Sequence, residues 1–553
     1  MSSSISLTAK GFDVLVIGGG INGVAVAREC ARNGKRTLLV EQNDFASGTT
    51  SRSTRIIHGG LRYLEHGEIS LVRESLRERE RLLRQSPHLV RPMRFLLVLP
   101  AKPRSLLRSA MAVRTGLWLY SRWARVQRTA STGIGDLEKQ LDQGRSWSIY
   151  SYEDAQCEFP ERLVAEWLAE SIAAGAVVRN HTQVLEITRS NGRVTGVRLR
   201  DRISGQEYAV TAPAIVNATG PWADVVAGSA GIKPARMIGG VRGSHLVLPR
   251  FTGAPEQPVY TEALDGRQIF VLPWNGQTLV GTTEVMDSDL PENSQPSAQE
   301  VEYLFSNFLR LFPHSGLSRS DVRYVFSGIR PLPYAPGKKY SAITRRHVLH
   351  DHSDDGAAGM ISVIGGKLTT AASLARDVAR KLGMQVPEPA SVLAAPVQEE
   401  DVESVVRQWS RIVACKARIP EGCAHGIAEW HGRHALAIAH AASLDERLRQ
   451  PICAHGCHLV AEAVEAVAHE SAITLGDILL RRVPVALGAC WSEDCTREAA
   501  AKIGCALGWD QARVHQEIDA FELERKAFLH PQPVPPGKGR PLEPLPSLRT
   551  ETA

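Results

Sequence analysis

Between Arg81 and Gly135 the sequence has no aspartate and no glutamate, although eleven lysines and arginines fall there. That absence makes the stretch locally cationic in sequence. No apolar run reaches the ~18 residues that a bilayer-spanning helix needs, so any membrane contact is expected to be peripheral. The opening MSSSISLTAK has no apolar core, so no secretory leader is expected. Cysteine is sparse and oddly counted: nine in all, seven of them after residue 410. Cys423-x-His425, Cys453-x-His455-x-Cys457-His458 and Cys490 with Cys495 could be weighed as a metal pattern, but the helical run HLVAEAVEAVAHE lies between the candidates and Cys505 sits in another helical run. A disulfide framework, a zinc site or an iron–sulfur cluster is therefore not expected, and the thiols read as buried or idle on helices. The net charge of +6 is mild, and nothing else in the chain supports nucleic-acid binding.

What is present is an ordinary globular composition, 43% apolar and 22% charged. A length of 553 residues implies about two to four domains. Residues 12–17 (FDVLVI) read as a buried strand, 22–33 as a helix and 36–41 as a second strand. The run 68–85 reads as a long helix whose charges mark a solvated face. Residues 162–175 read as helical, and 176–218 as a small antiparallel sheet broken by turns. The stretch 214–224 is a strand leaving into a glycine turn, 243–249 and 267–284 are strands, and 360–382 is strand, glycine pair and helix. Residues 387–397 form a Pro/Ala-rich linker, and 400–529 are almost wholly helical and read as a separate α domain. The Pro-rich tail is expected to be disordered.

Gly18-x-Gly20-x-x-Gly23 follows the first strand and opens the helix, so the backbone can approach a pyrophosphate at a helix N-terminus. Glu41 ends the second strand 23 residues after Gly18, where an acid accepts from ribose hydroxyls. The glycines alone do not separate FAD from NAD. The N-terminal position and the further strand-to-glycine turns in NATGPW (217–222) and VIGGKLT (363–369) favour FAD. No second fingerprint of this quality occurs, so electrons leaving the flavin are expected to go to something other than NAD.

The blocks VIGGGINGVAVARECARNG, HGGLRYLEHGE, SPHLVRPMRFLLVLP, NATGPWAD, RGSHLVLPR, VGTTE, SGIRPL, AITRRH and SVIGGKLTT resemble FAD-dependent glycerol-3-phosphate dehydrogenase of the aerobic type. They occur in that family's order over about 12–382, and the helical C-terminal third resembles its extra domain more loosely. The resemblance implies an α/β fold: an FAD-binding, Rossmann-like domain of the D-amino-acid-oxidase kind, an inserted mixed-sheet substrate domain, and an all-α C-terminal domain. The expected boundaries are 12–80, 155–235 and 325–386 for the cofactor domain, with 81–154 and 236–324 for the substrate region. Residues 398–530 make the helical domain and 531–553 the tail.

The resemblance also implies the site. Cofactor contacts would come from Gly18, Gly20, Gly23, Glu41, Thr50, Ser53, His58, Gly59, Gly60, Leu61, Ala218, Thr219, Gly220, Trp222, Gly365, Gly366, Lys367, Leu368 and Thr369. Arg62, Tyr63, Arg330 and Lys367 would line the substrate pocket, with Arg345 a weaker carry-over, and no metal is expected. Oxidising sn-glycerol 3-phosphate to dihydroxyacetone phosphate by hydride transfer from C2 to flavin N5 needs a cationic cradle and a base. Arginine forks suit the phosphate. His58 suits the base, having an ordinary pKa of about 6.5; the alternatives are that His58 only orients the flavin, or that Lys367 or a held water takes the proton. His58, Arg330 and Lys367 are thus the catalytic candidates.

The sequence departs from the family pattern at Arg52, Arg55, Glu161 and Glu284, which bears on flavin positioning and not on reaction class. An oxidase using oxygen remains an alternative to a quinone-linked enzyme. An amino-acid oxidase would need one arginine where several cations stand, and a flavin-binding redox sensor would need a damaged pocket. The segment 103–128 interleaves arginines with Leu106, Leu107, Met111, Leu117, Trp118, Leu119, Tyr120 and Trp123, which suits a helix in the interface of an anionic membrane. The alternative is a helix packed on the protein with its arginines in water. The expected partners are therefore glycerol 3-phosphate, quinone and the cytoplasmic membrane face, with a homodimer permitted.

Overall fold

The apolar run FDVLVI becomes the strand Val14–Ile17, buried on both faces at the centre of a six-stranded sheet. Such continuous burial is what a parallel strand covered on two sides requires. Parallel neighbours are Thr37–Val40 on one side and Ile215–Asn217 on the other, with Val177–Arg179 and Met360–Ile364 beyond them. Val348–Asp351 closes one edge antiparallel. In this computed structural model the described residues are 11–101, 110–124, 134–287, 290–338, 343–387 and 399–530. The linker and tail expectations lie outside them.

A nine-stranded sheet forms the second layer. The 11-residue strands Val90–Pro100 and Trp147–Cys157, which sequence reading left unassigned, pair antiparallel along their whole lengths. Val241–Pro249 pairs with Tyr324–Arg330, which carries Arg330 at its end. The small antiparallel sheet is present but narrower than 176–218: only Thr182–Ser190, Arg193–Asp201 and Glu207–Thr211 belong to it. The flanking strands at 177–179 and 215–217 join the main sheet instead.

Two expectations are corrected, on the charges of the long helix and on the cysteines. The charges of Ile69–Gln85 do not all face water: Glu78 and Arg79 are buried. Arg79 pairs with Asp154 at 2.9 Å, and Glu78 receives Arg81 and Arg376, so these charges bind other elements. The C-terminal region is all helical, as expected, and packs closely on the rest of the chain. Leu475, Ile478, Phe521 and Phe528 share one core with Phe95, Trp274 and Phe326 of the nine-stranded sheet, and His530 pairs with Val325 as an extra bridge. Finally, Cys423 and Cys457 are joined in a disulfide, because the loop after Pro451 returns Cys457 to the helix Glu421–His431. Cys30, Cys157, Cys415, Cys453, Cys490, Cys495 and Cys505 are free thiols.

A buried charge cluster fixes the helices onto the cofactor side. Asp44 receives both arms of Arg482, at 2.6 and 2.8 Å, and also Arg481. Removing one partner of a buried pair typically costs about 3–5 kcal/mol because the other charge is stranded. Asp44→Ala should therefore lower the urea midpoint of tryptophan-monitored unfolding by an amount equivalent to about 3 kcal/mol or more. A midpoint within error of the parent would show that the cluster does not anchor the helices.

Candidate functional site

The carboxyl ends of the main-sheet strands open into a cleft of about 2510 Å³. Open α/β sheets place ligands there, where the strand order reverses. The nine-stranded sheet supplies the opposite wall through Arg242, His245, Tyr260, Phe270 and Thr282–Glu284, and Arg330 also faces it. Ala527 and Phe528 of the last helix contribute to the rim.

Glycine is required at the first turn. Gly18 has φ +106°, and a Cβ there would lie 2.7 Å from the Ala218 carbonyl oxygen. Gly23 serves packing: its Cβ would collide with the Gly18 carbonyl, so helix and strand could not close. Beside them the Ile21 N–H donates to Thr50 Oγ1 at 3.1 Å. Glu41 accepts from Gly19 N–H at 2.7 Å and from Asn43 N–H at 2.9 Å, and burial raises its pKa against those bonds. Asn22 donates to the Gly365 carbonyl, while its buried Oδ1 has no partner among the described residues. A dinucleotide fits this strip, with glycine backbone for the pyrophosphate and Glu41 for a ribose.

Of the expected cofactor contacts, Gly18, Gly20, Glu41, Thr50, Ser53, His58, Gly60, Leu61, Ala218, Thr219, Gly220, Trp222, Gly366, Lys367, Leu368 and Thr369 all line the cleft. Gly23, Gly59 and Gly365 lie behind its wall. Gly59 is glycine because Leu76 and the Tyr120 hydroxyl occupy the space a side chain would need.

Tyr63, Arg330, Arg345 and Lys367 also face the cleft, whereas the Arg62 side chain lies outside the described residues. Arg330 donates to Thr282 Oγ1 at 2.9 Å and to the Thr283 carbonyl at 3.1 Å. Glu284 lies 3.8 Å from Arg330 and 3.3 Å from Arg345, so two cations share one carboxylate. Lys367 Nζ donates to Ser75 Oγ at 2.7 Å and sits 4.7 Å from the Tyr63 ring centre. The His58 ring is 5.8 Å from the same tyrosine. Backbone bonds between His58 and Thr369 Oγ1, at 3.2 and 3.3 Å, tie these residues together across 311 positions of sequence.

Sequence reading missed two groups. Asp154 accepts from Gly59 N–H at 2.8 Å, from Arg79 at 2.9 Å and from the Tyr120 hydroxyl at 3.0 Å, and so holds the His58–Gly60 turn. No local signal marks it, since its partners come from three separate elements. His245 faces the cleft with Thr54 Oγ1 2.9 Å from its Nε2. Burial, then Arg330 and Arg55, push its pKa down to about 3, so it is neutral. Its place within RGSHLVLPR was the available hint.

Burial likewise lowers the Lys367 pKa to about 8. The unfolded chain keeps that proton to about 10.5, so between the two values the folded state binds fewer protons and stability rises with pH. Lys367→Met should flatten this rise between pH 8 and 10.5, as measured by urea midpoints. An unchanged slope would mean that Lys367 titrates normally.

Comparison with known proteins identifies the family. Residues 13–380 match the family described as FAD dependent oxidoreductase, and 361–514 match the C-terminal domain of alpha-glycerophosphate oxidase. A glycerol-3-phosphate dehydrogenase of Synechocystis sp. is 37% identical over 92% of this chain and 95% of its own. D-erythritol 1-phosphate dehydrogenase of Brucella abortus is 39% identical over 66% of this chain and 72% of its own. The structure of glycerol-3-phosphate dehydrogenase from Bacillus halodurans, complexed with FAD, superposes with a TM-score of 0.74 at 24% identity, covering 95% and 96% of the two chains.

Proposed function

The chain is an enzyme of the FAD-dependent oxidoreductase family, in its glycerol-3-phosphate dehydrogenase branch, with FAD as cofactor; from that premise we propose that it oxidises sn-glycerol 3-phosphate to dihydroxyacetone phosphate and passes the electrons to membrane quinone. On this reading the glycine strip and Glu41 would hold FAD, which would supply the hydride acceptor for C2, and the chain's own residues bind the phosphate and take the hydroxyl proton. Segments 12–80, 155–235 and 325–386 carry the cofactor, and 81–154 with 236–324 carry the substrate wall.

The observation that carries the reading is the Arg330–Glu284–Arg345 cluster. Two guanidiniums facing one cleft suit a dianionic phosphate, because arginine forks bind its oxygens bidentately. Tyr63 completes the described part of the pocket, and Arg62 is proposed as a substrate ligand on the family resemblance alone. Lys367 holds the substrate beside Tyr63, and His58 takes the proton. The relative acting on D-erythritol 1-phosphate shares the demand for a phosphate cradle, so the polyol chain length is set elsewhere in the cleft. The match to an oxidase C-terminal domain supports oxygen as a second acceptor reading.

The test is dye-linked oxidation by the purified yellow protein, comparing glycerol 3-phosphate, erythritol 1-phosphate and glycerol, with oxygen uptake followed in parallel. Losing a charge-assisted phosphate contact costs about 2–5 kcal/mol. Arg330→Ala should therefore reduce kcat/KM for glycerol 3-phosphate by about 30-fold or more and spare the rate with glycerol. Equal losses on both would sink the phosphate role.

Access to quinone is proposed to run through the helix Ala110–Ala124. Leu117 and Tyr120 are buried on one face, and Met111, Arg114, Trp118 and Arg122 are exposed on the other. Trp118 thus remains available to a bilayer, whereas Trp123 packs inward beneath Arg73. Arg104, Arg108, Arg125 and Arg128 lie outside the described residues. No helix among the described residues is long and apolar enough to cross a membrane. Each basic residue near an anionic surface adds about 1 kcal/mol, which favours peripheral docking on the cytoplasmic face. The protein should cosediment with anionic but not zwitterionic vesicles. Arg114→Glu with Arg122→Glu and Trp118→Ala should release it while leaving dye-linked activity intact. Undiminished vesicle binding by that variant would remove this helix as the anchor.

A further inference from the structure

The loop Ile452–His458 in the helical region is drawn shut by its own backbone. Ile452 N–H donates to the His458 carbonyl at 2.7 Å, and Val460 N–H to the Gln450 carbonyl at 2.9 Å. Within it Gly456 N–H bonds back to the Cys453 carbonyl, so Cys453 and His455 project from one tight turn. Facing that turn is the start of the helix Glu493–Leu507, where Ser492 Oγ accepts from Cys495 N–H at 3.3 Å. Cys453 Sγ, Cys495 Sγ and one ring nitrogen of His455 all lie within 4.8 Å of one another. The two thiols are buried and the imidazole is exposed, which leaves an entry path.

The spacing suits a tetrahedral ion. With Zn–S near 2.3 Å and Zn–N near 2.0 Å, the S–N edge of a tetrahedron is about 3.5 Å and the S–S edge about 3.8 Å. His455 Nδ1 and Cys495 Sγ are 3.4 Å apart. Cys490 precedes Cys495 in a C-x4-C spacing, a short separation common between zinc thiolates, and Cys495 Sγ faces its carbonyl at 3.7 Å. Ser492 Oγ lies 3.5 Å from Cys495 Sγ, as an outer donor to a thiolate would. Two thiolates with an imidazole favour zinc over the hard, oxygen-seeking cations.

We propose that Cys453, His455 and Cys495, with Cys490 as fourth ligand, bind a zinc ion that clamps the Ile452–His458 loop to the helix Glu493–Leu507. The site is structural, and none of its four residues lines the cleft. It stands beside the Cys423–Cys457 disulfide, so one short loop carries two cross-links, one covalent and one coordinate.

The test uses the full-length flavoprotein, purified under reducing conditions without a metal-affinity step. Elemental analysis should find about one zinc per chain. Cys453→Ser with Cys495→Ser should abolish it while FAD content and dye-linked rate stay at the parent level. Cys423→Ser with Cys457→Ser should retain the metal. Should the first pair fail to fold, cobalt(II) added to the zinc-depleted parent gives an independent readout. Thiolate-to-cobalt charge transfer with tetrahedral ligand-field bands is expected. Substoichiometric zinc after reconstitution, zinc that survives the first double variant, no charge-transfer band, or a mapped Cys453–Cys495 disulfide would each overturn the proposal.

Discussion

Asp44 is the point through which the two ends of the chain hold each other. It lies three residues beyond Glu41, in the loop that leaves the second main-sheet strand, and only 1% of it is exposed. Its carboxylate takes Arg482, Arg481 and the Asn180 amide together. Arg482 also donates to the Glu470 carbonyl, and Arg162 binds both the Glu470 carboxylate and the Arg482 carbonyl. Asp477 extends the network to His181 and Arg481, which hold its pKa far below the usual carboxylate range. Isolated charges could not survive such burial; they persist because nearly every donor and acceptor is matched. The position of Glu41, and with it one end of the cofactor strip, therefore depends on residues more than 400 positions away.

The two departures at Arg55 and Glu161 resolve into a single feature. Arg55 is fully buried and forms both arms of a fork onto Glu161, each at 2.9 Å, while its guanidinium lies 4.6 Å from the Trp274 ring. A long donor is matched by a long acceptor, so the changes offset one another and the turn at Ser53–Arg55 keeps its place. Glu284 likewise spans two arginines. Arg52 lies 5.2 Å from the Phe528 ring and is answered from the last helix.

The local signals were readable because local chemistry demands them. Gly18, Gly20 and Gly23 sit where a side chain would hit backbone or narrow the strip, and Val14–Ile17 is apolar throughout because both faces are covered. The His58, Arg330 and Lys367 blocks also converge on one cleft, although nothing in their spacing states it. The pairings between distant charges were not readable. Arg79 looks like any solvated helix arginine until Asp154 meets it, and the helical third looks independent until Phe528 is set against Phe326. Periodicity reports which face is apolar but not which partner covers it.

The strand order of the main sheet has a bearing on how the chain is made. Val14–Ile17 lies between Thr37–Val40 and Ile215–Asn217, and the latter waits for Met360–Ile364 before its other edge is covered. The last helix then finishes the rim of the cleft, and His530 adds its bridge to Val325. At roughly 5–20 residues per second, about 10–40 s separates emergence of the first strand from emergence of Ile215–Asn217. For that time a bare apolar edge is presented near the ribosome, where it can pair wrongly with other nascent chains. Chaperone engagement with the N-terminal strands should therefore be prolonged, and stop codons placed before about residue 530 should yield aggregates instead of a shorter working flavoprotein.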